Sequence, residues 1–218
     1  MTASANTLKA HTVSLNQSHW SRRTWHDWVF ALLVVAGAAF VWQQYQGNLD
    51  GYEKGILIGT VPMLIGLGWL WRPLQALMLV VAAASLAGIG LYAGDLKRAD
   101  SVFWLKFLLS SQSAILWMCT LVFMSTLFYW IGLLTSRRTA ADGSVADNTA
   151  LRMGTWLAWG AVGMALIGTM VRWYESHHIG AGIGHIPVSN LYEVFVLFAW
   201  MTTLFYLYYE QQYKTRAL

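Results

Sequence analysis

Long stretches without a single Asp, Glu, Lys or Arg recur along the whole chain. Most are close to the ~20 residues with which a helix crosses a hydrocarbon core about 30 Å thick. Lipid offers no hydrogen bonds to a backbone, so a spanning segment must be a helix or part of a closed barrel. Barrel strands alternate apolar and polar side chains over about ten residues, and these stretches show no such alternation. We therefore predict an all-α, polytopic transmembrane protein with about six spans, from the uncharged stretches 28–49, 55–71, 73–94, 107–136, 153–171 and 194–209.

The composition excludes several other classes of protein. Apolar residues make up 57% of the 218, only 11% are charged, and the mean hydropathy is +0.46, which is unlike an ordinary soluble domain. The net charge of +4 comes from basic residues dispersed at span ends, so we expect no nucleic-acid partner. The single cysteine, Cys119, cannot build a disulfide framework or a CxxC pair, and we expect no metal site.

The first 27 residues are polar and are predicted to form a cytoplasmic N-terminal segment. The apolar residues 28–40 that follow could also be interpreted as a signal peptide, cleaved near Ala36, Gly37 and Ala38. The long leading segment and the five further spans favour an uncleaved first span instead.

The Lys and Arg residues predict the orientation of the chain. With six spans, nine of the fourteen fall on one side of the membrane, together with both termini. The positive-inside rule makes that side cytoplasmic. Those nine residues are Lys9, Arg22, Arg23, Arg72, Arg137, Arg138, Arg152, Lys214 and Arg216.

The fourth stretch is too long for a simple crossing, because a helix over residues 107–134 would extend about 42 Å at 1.5 Å per residue. Lys106, Ser110 and Ser113 recur at helical spacing just before and within it. This pattern favours an outer interfacial helix that leads into the true span near Ala114. A single, strongly tilted helix is the alternative.

The polar residues that could carry chemistry concentrate in a predicted outer loop, residues 172–187. It holds three of the six histidines, His177, His178 and His185. Adjacent residues point about 100° apart on a helix, so His177 and His178 would not face one metal ion. No histidine falls in a predicted span, which argues against a bis-histidine haem within the bilayer. Polar residues that simply mark the end of a span remain an open interpretation.

The sixth span has a recognisable start. Pro187 disfavours helix in the residue before it, Asn190 is a favoured N-cap, and Glu193 follows at the capping-box spacing. These residues therefore predict a helix that begins next to Asn190 at the outer side.

Residues 184–193, here called the motif, resemble the pattern G-H-x-P-x-S-N-x-Y-E that opens the core domain of the CcsA/ResC family (named CcsB in some bacteria) of system II cytochrome c biogenesis proteins. Arg172 and Trp173 before the motif, and residues 103–107 before the fourth span, also look like bacterial members. The resemblance therefore covers most of the chain. The motif reads Gly184, His185, Ile186, Pro187, Val188, Ser189, Asn190, Leu191, Tyr192 and Glu193.

The resemblance implies a multi-pass protein of the bacterial inner membrane that works with a ResB/Ccs1-type partner. Haem b is its transported substrate, which is presented outside the cytoplasm to the CxxCH cysteines of apocytochrome c. Membrane lipid is the remaining expected contact. We expect His185, His177 and His178 to be the haem-proximal candidates, and no catalytic residue is assigned. A structural role is expected for Pro187, Ser189, Asn190, Tyr192 and Glu193.

The family also carries a W-G-x-x-W-x-W-D segment with flanking haem-ligating histidines, and no part of this sequence matches it. We therefore expect a truncated chain, divided into a polar segment 1–27, an N-terminal transmembrane region 28–183 and the start of the assembly core domain 184–218. It would be part of a haem lyase when complete, and inactive in haem attachment by itself. The alternatives are a non-enzymatic membrane scaffold and, less favoured because the span centres lack charges, a small-molecule transporter.

Overall fold

A computed structural model describes residues 23–45, 51–135, 148–180, 184 and 186–216. Every regular element in these ranges is a helix, which confirms the predicted all-α fold. Six helices have 20 residues or more, and a short helix α4 and a π-helical segment precede the fourth of them. They are α1 (Trp25–Tyr45), α2 (Gly51–Leu70), α3 (Pro73–Tyr92), α4 (Arg98–Ser101), the π segment (Leu105–Leu109), α5 (Ser111–Thr135), α6 (Thr149–Ile179) and α7 (Leu191–Tyr213).

Five helices, α1, α3, α5, α6 and α7, are long and apolar enough to cross a membrane. The chain is therefore a multi-pass membrane protein. The second predicted span corresponds to α2, whose apolar part, Lys54–Leu70, is shorter than the other five. The predicted cytoplasmic location of both termini stays a prediction, and most of the polar segment 1–27 lies outside the described residues.

The residues form two compact units, 1–76 and 77–218, with the boundary inside α3. In the first unit, the buried Asp27 organises the start of α1. Its carboxylate accepts hydrogen bonds from the Thr24 backbone N–H at 2.9 Å and from the Gln75 side chain at 2.7 Å. Arg72 forms an ion pair with it at 3.1 Å. These contacts fasten the start of α1 to the turn between α2 and α3, and Phe30 of α1 packs closely against Gly68.

In the second unit, α5 and α6 form the most extensive helix pair. Two glycines of α6 allow their close approach: a methyl group at Gly168 would lie 3.0 Å from Ile115, and one at Gly154 would lie 3.0 Å from the Tyr129 ring. Small residues at such positions let helices gain van der Waals contact, which is a main source of association in lipid. Helix α7 joins this pair through Val196, which packs with Ile115 in a buried cluster.

The region before α5 is broken, which contradicts the alternative of one continuous tilted helix. Ser110 has an extended backbone (φ −66°, ψ 154°) between the π segment and α5. The break is braced by side chains, because Trp117 Nε1 donates to the Phe107 carbonyl at 2.8 Å and the Ser113 hydroxyl to the Lys106 carbonyl at 2.6 Å. Helix α5 thus starts at Ser111, slightly before the predicted position near Ala114.

Helix α6 extends farther than predicted. Residues from Arg172 to Ile179, interpreted from the sequence as loop, form its last two turns. At 1.5 Å per residue, the 31 residues of this helix span about 46 Å. A helix satisfies its own backbone groups in lipid and in water, so polar side chains at a membrane boundary do not end it.

Candidate functional site

The motif lies where α6 ends and α7 begins, and we call this end of the second unit the motif end. Asn190 is the N-cap of α7, as predicted: its side-chain oxygen accepts a hydrogen bond from the Glu193 backbone N–H at 2.9 Å. The Glu193 carboxylate reaches back, but to the residue before the cap. It accepts from the Ser189 N–H at 3.1 Å and from the Ser189 hydroxyl at 3.3 Å. This variant of the capping box satisfies helix-start donors that would otherwise lack acceptors.

Glu193 also links the motif to the preceding helix. The residue is 5% exposed, and its carboxylate lies 3.5 Å from Nε of Arg172 on α6. The Arg172 side chain is 33% exposed, so the pair lies between buried core and aqueous boundary. A buried carboxylate needs such a partner, because leaving it uncompensated would be costly. The capping group of α7 therefore also sets the distance between α6 and α7.

A second carboxylate at the motif end, Glu175, was not singled out from the sequence. It accepts hydrogen bonds from the Tyr92 hydroxyl at 2.6 Å, the Ser111 N–H at 3.1 Å and the Ser111 hydroxyl at 2.5 Å. These donors join α3 and the first residue of α5 to α6. The sequence offered one signal that could have identified Glu175. It follows Arg172 by three residues, which places the two side chains next to each other on one helix.

His177 and His178 lie in the last turn of α6 with exposed side chains. Their Nδ1 atoms lie 2.9 Å and 3.0 Å from the backbone carbonyls of Trp173 and Tyr174. A carbonyl oxygen only accepts, so each Nδ1 carries the proton in the neutral ring. Nε2 is then the nitrogen with a lone pair, the tautomer with which imidazoles commonly bind metals and haem iron.

The other motif residues have different surroundings. Gly184 lies so close to the His177 ring that a methyl group there would overlap it, so the motif glycine sets the position of this imidazole. Pro187 is buried, whereas Tyr192 is more than half exposed and its hydroxyl forms no hydrogen bond with any described residue. His185 lies outside the described residues.

A cleft of about 280 Å³ opens at the motif end beside Glu175. It lies between the end of α3, the π segment, the start of α5 and the end of α6. Its polar lining residues include Tyr92, Asp100, Lys106, Gln112, Arg172 and Glu175.

The opposite end of this unit is held by the buried Glu210 of α7. It accepts hydrogen bonds from the Tyr129 hydroxyl of α5 at 2.5 Å and the Thr155 hydroxyl of α6 at 2.7 Å. Arg216 lies 3.4 Å away. A cavity of about 340 Å³ with mainly apolar walls adjoins this group. The sequence pattern did not indicate that one carboxylate would connect three helices here.

Within the described ranges, no three side chains of the His, Cys, Asp and Glu types come together to hold a metal ion. The side chains of Asn190 and Glu193 form hydrogen bonds at the start of α7. The accessible groups at the motif end include the two imidazoles of α6, the Tyr192 side chain and the cleft lined by Glu175. Comparisons with protein-family models, with curated proteins and with solved structures give no match.

Proposed function

We propose that this chain is a bacterial inner-membrane component of c-type cytochrome maturation that handles haem as its substrate. The single observation that carries the proposal is the motif, residues 184–193, in which the seven specified residue types follow the order that opens the core domain of the CcsA/ResC-type proteins. In the fold these residues begin α7 next to two exposed imidazoles. Imidazoles are common axial ligands of haem iron, which is why these two favour a surface that handles haem.

In this proposal, the motif end faces the compartment outside the cytoplasm, in agreement with the charge asymmetry of the sequence. Haem reaches this end and is presented to the CxxCH cysteines of apocytochrome c, with a ResB/Ccs1-type membrane partner completing the site. His177 and His178 each offer one Nε2 atom, on different sides of α6. They would serve as separate contacts, one of them shared with a ligand from the partner.

A second function, a non-enzymatic scaffold, is favoured by one observation. The side chains of Asn190 and Glu193 contact Ser189, Arg172 and the backbone at the start of α7. The motif could then preserve a helix junction on which a partner's helices pack, with no contact to haem.

Co-expression with a ResB/Ccs1-type partner and a reporter apocytochrome c distinguishes haem handling from a scaffold function. We expect haem, measured by the pyridine haemochrome spectrum, to copurify with the complex, and His177→Ala and His178→Ala to lower that haem several-fold. His26→Ala, an exposed histidine of the first unit, is the matched control and should leave it unchanged.

Two results together would refute haem handling and favour the scaffold. The wild-type complex would form without haem, and the holocytochrome yield would be equal for His177→Ala, His178→Ala and His26→Ala. The chain without its partner is expected to hold little haem and to attach none to apocytochrome c.

A further inference from the structure

The cleft at the motif end is lined by several hydrogen-bond donors, and two of them have no acceptor among the described residues. Lys106 and Gln112 are exposed and, among the described residues, have no hydrogen-bond acceptor or ion-pair partner for their side chains. Within the part of the chain that the structure describes, Arg172 forms one ion pair, from Nε to Glu193 at 3.5 Å, and the rest of its guanidinium carries further N–H donors. Three donor groups, two of them cationic, therefore converge on one cleft.

The carboxylates nearby leave these donors available. Glu175 already accepts three hydrogen bonds, from Tyr92 and Ser111. Asp100 also lines the cleft, but it is exposed and makes no ion pair with Lys106 or Arg172 in the described structure. An acceptor-rich anionic group between the two cations would complete charge-assisted hydrogen bonds.

An apolar surface adjoins the cleft. Phe103, Trp104 and Phe107 are each more than half exposed. Their rings form one patch, with centroids 5.7 Å apart for Phe103 and Trp104 and 5.1 Å apart for Phe103 and Phe107. The Lys106 ammonium lies 5.7 Å from the Phe107 ring, so this residue connects the patch with the cleft.

We propose that the cleft and this aromatic patch form a binding site for an anionic amphiphile. Its carboxylate or phosphate group would lie among Lys106, Gln112 and Arg172, and its apolar body on the aromatic patch. Two sources share this chemistry, the propionate carboxylates of a porphyrin and the headgroup of an anionic lipid. The porphyrin source rests on the proposed function, whereas the anion site itself does not.

Metal-free protoporphyrin IX tests the site without any contribution from histidine ligation of iron. The full chain in non-ionic detergent micelles is titrated with protoporphyrin IX and with its dimethyl ester, which keeps the ring and lacks the carboxylates. We expect Lys106→Gln and Arg172→Gln each to weaken protoporphyrin binding about tenfold, the usual size of a lost hydrogen bond to a charged group. Binding of the ester should be weak and unchanged.

Lys97→Gln removes an equal charge from an exposed residue outside the cleft and should bind as wild type does. Gln112→Ala provides a variant that leaves the contact between Arg172 and Glu193 intact, and it should weaken binding several-fold. The lipid source is tested with the same variants by native mass spectrometry. The measured quantity is the retention of anionic phosphatidylglycerol relative to zwitterionic phosphatidylcholine.

Phosphatidylglycerol retention that depends on Lys106, without protoporphyrin binding, would support the anion site and assign it to lipid; the proposed haem function would then lose this support. Protoporphyrin binding that depends on Lys106 would support both the anion site and the proposed haem function. Lys106→Gln and Gln112→Ala chains that bind protoporphyrin and phosphatidylglycerol as the wild type does would overturn the site.

Discussion

Glu193→Ala is the substitution whose consequence the structure predicts most directly. It removes the acceptor of the Ser189 N–H and hydroxyl and the partner of Arg172. Loss of a capping interaction costs about 0.5–2 kcal/mol. The Arg172 pair adds at most about 1 kcal/mol, because that side chain is one-third exposed and partly screened. Relief of the buried carboxylate's desolvation offsets part of the sum. We expect the free energy of unfolding of Glu193→Ala to be about 2 kcal/mol lower than that of the wild type.

Glu193→Gln should cost about 1 kcal/mol or less, because the amide oxygen still accepts from Ser189 while the attraction to Arg172 is lost. The measurement is unfolding of the chain in mixed micelles by dodecyl sulfate, followed by tryptophan fluorescence and far-UV circular dichroism. Tyr192→Phe is the control, since it changes an exposed hydroxyl in the same turn and should stay within about 0.5 kcal/mol of wild type.

The double variant of Glu193→Gln and Arg172→Gln then measures the ion pair by itself, with an expected coupling below about 1 kcal/mol. Glu193→Ala within 0.5 kcal/mol of wild type, on the scale of ordinary surface substitutions, would refute the reasoning. Equal losses of stability in Glu193→Gln and Glu193→Ala would also refute it, because the side-chain oxygen that accepts from Ser189 would then contribute nothing.

Three further predictions concern the cap, the opposite end of the bundle and the topology. Asn190→Ala should lose about 0.5–2 kcal/mol in the same unfolding assay, whereas Ser or Asp at this position should restore most of it, because each supplies a capping oxygen. Glu210→Ala should lower the free energy of unfolding by about 2–4 kcal/mol, since it removes the carboxylate that accepts hydrogen bonds from two part-buried hydroxyls on two helices, and the exposed Gln212→Ala should be neutral in parallel samples. Alkaline phosphatase fused after His178 should be active and fused after Asp142, outside the described residues, inactive; the reverse activities would contradict the orientation.

The described contacts of Asn190 and Glu193 explain how these motif residues start α7. The Asn190 side-chain oxygen caps α7, as the capping pattern predicted, whereas Glu193 accepts hydrogen bonds from Ser189 and not from the cap residue. If Asn190→Asp abolished cytochrome c maturation in a complete homologue while leaving fold and abundance unchanged, the motif would have to contact haem or partner directly. Tyr192 is exposed beside them, and its side chain is accessible for such a contact.

The sequence by itself determined the helices and their approximate positions. The cost of unpaired backbone groups in lipid leaves helix as the solution for long uncharged stretches, so composition and length were sufficient. It also determined the start of α7, because a cap is a local interaction within four residues. The same local reasoning was wrong for residues 172–179, since polar side chains mark a membrane boundary and not the end of a helix.

Only the tertiary structure decided which side chains meet. Glu175 contacts Tyr92 and Ser111, which lie 83 and 64 residues away in sequence, and Glu210 contacts Tyr129, 81 residues away. A soluble helix reveals its buried face by its apolar stripe, whereas these spans are apolar on all sides and carry no such signal. Their rotation about the helix axis is set by close packing at glycines such as Gly154 and Gly168 and by the few carboxylates at the helix ends. Those contacts exist only once the helices have packed together.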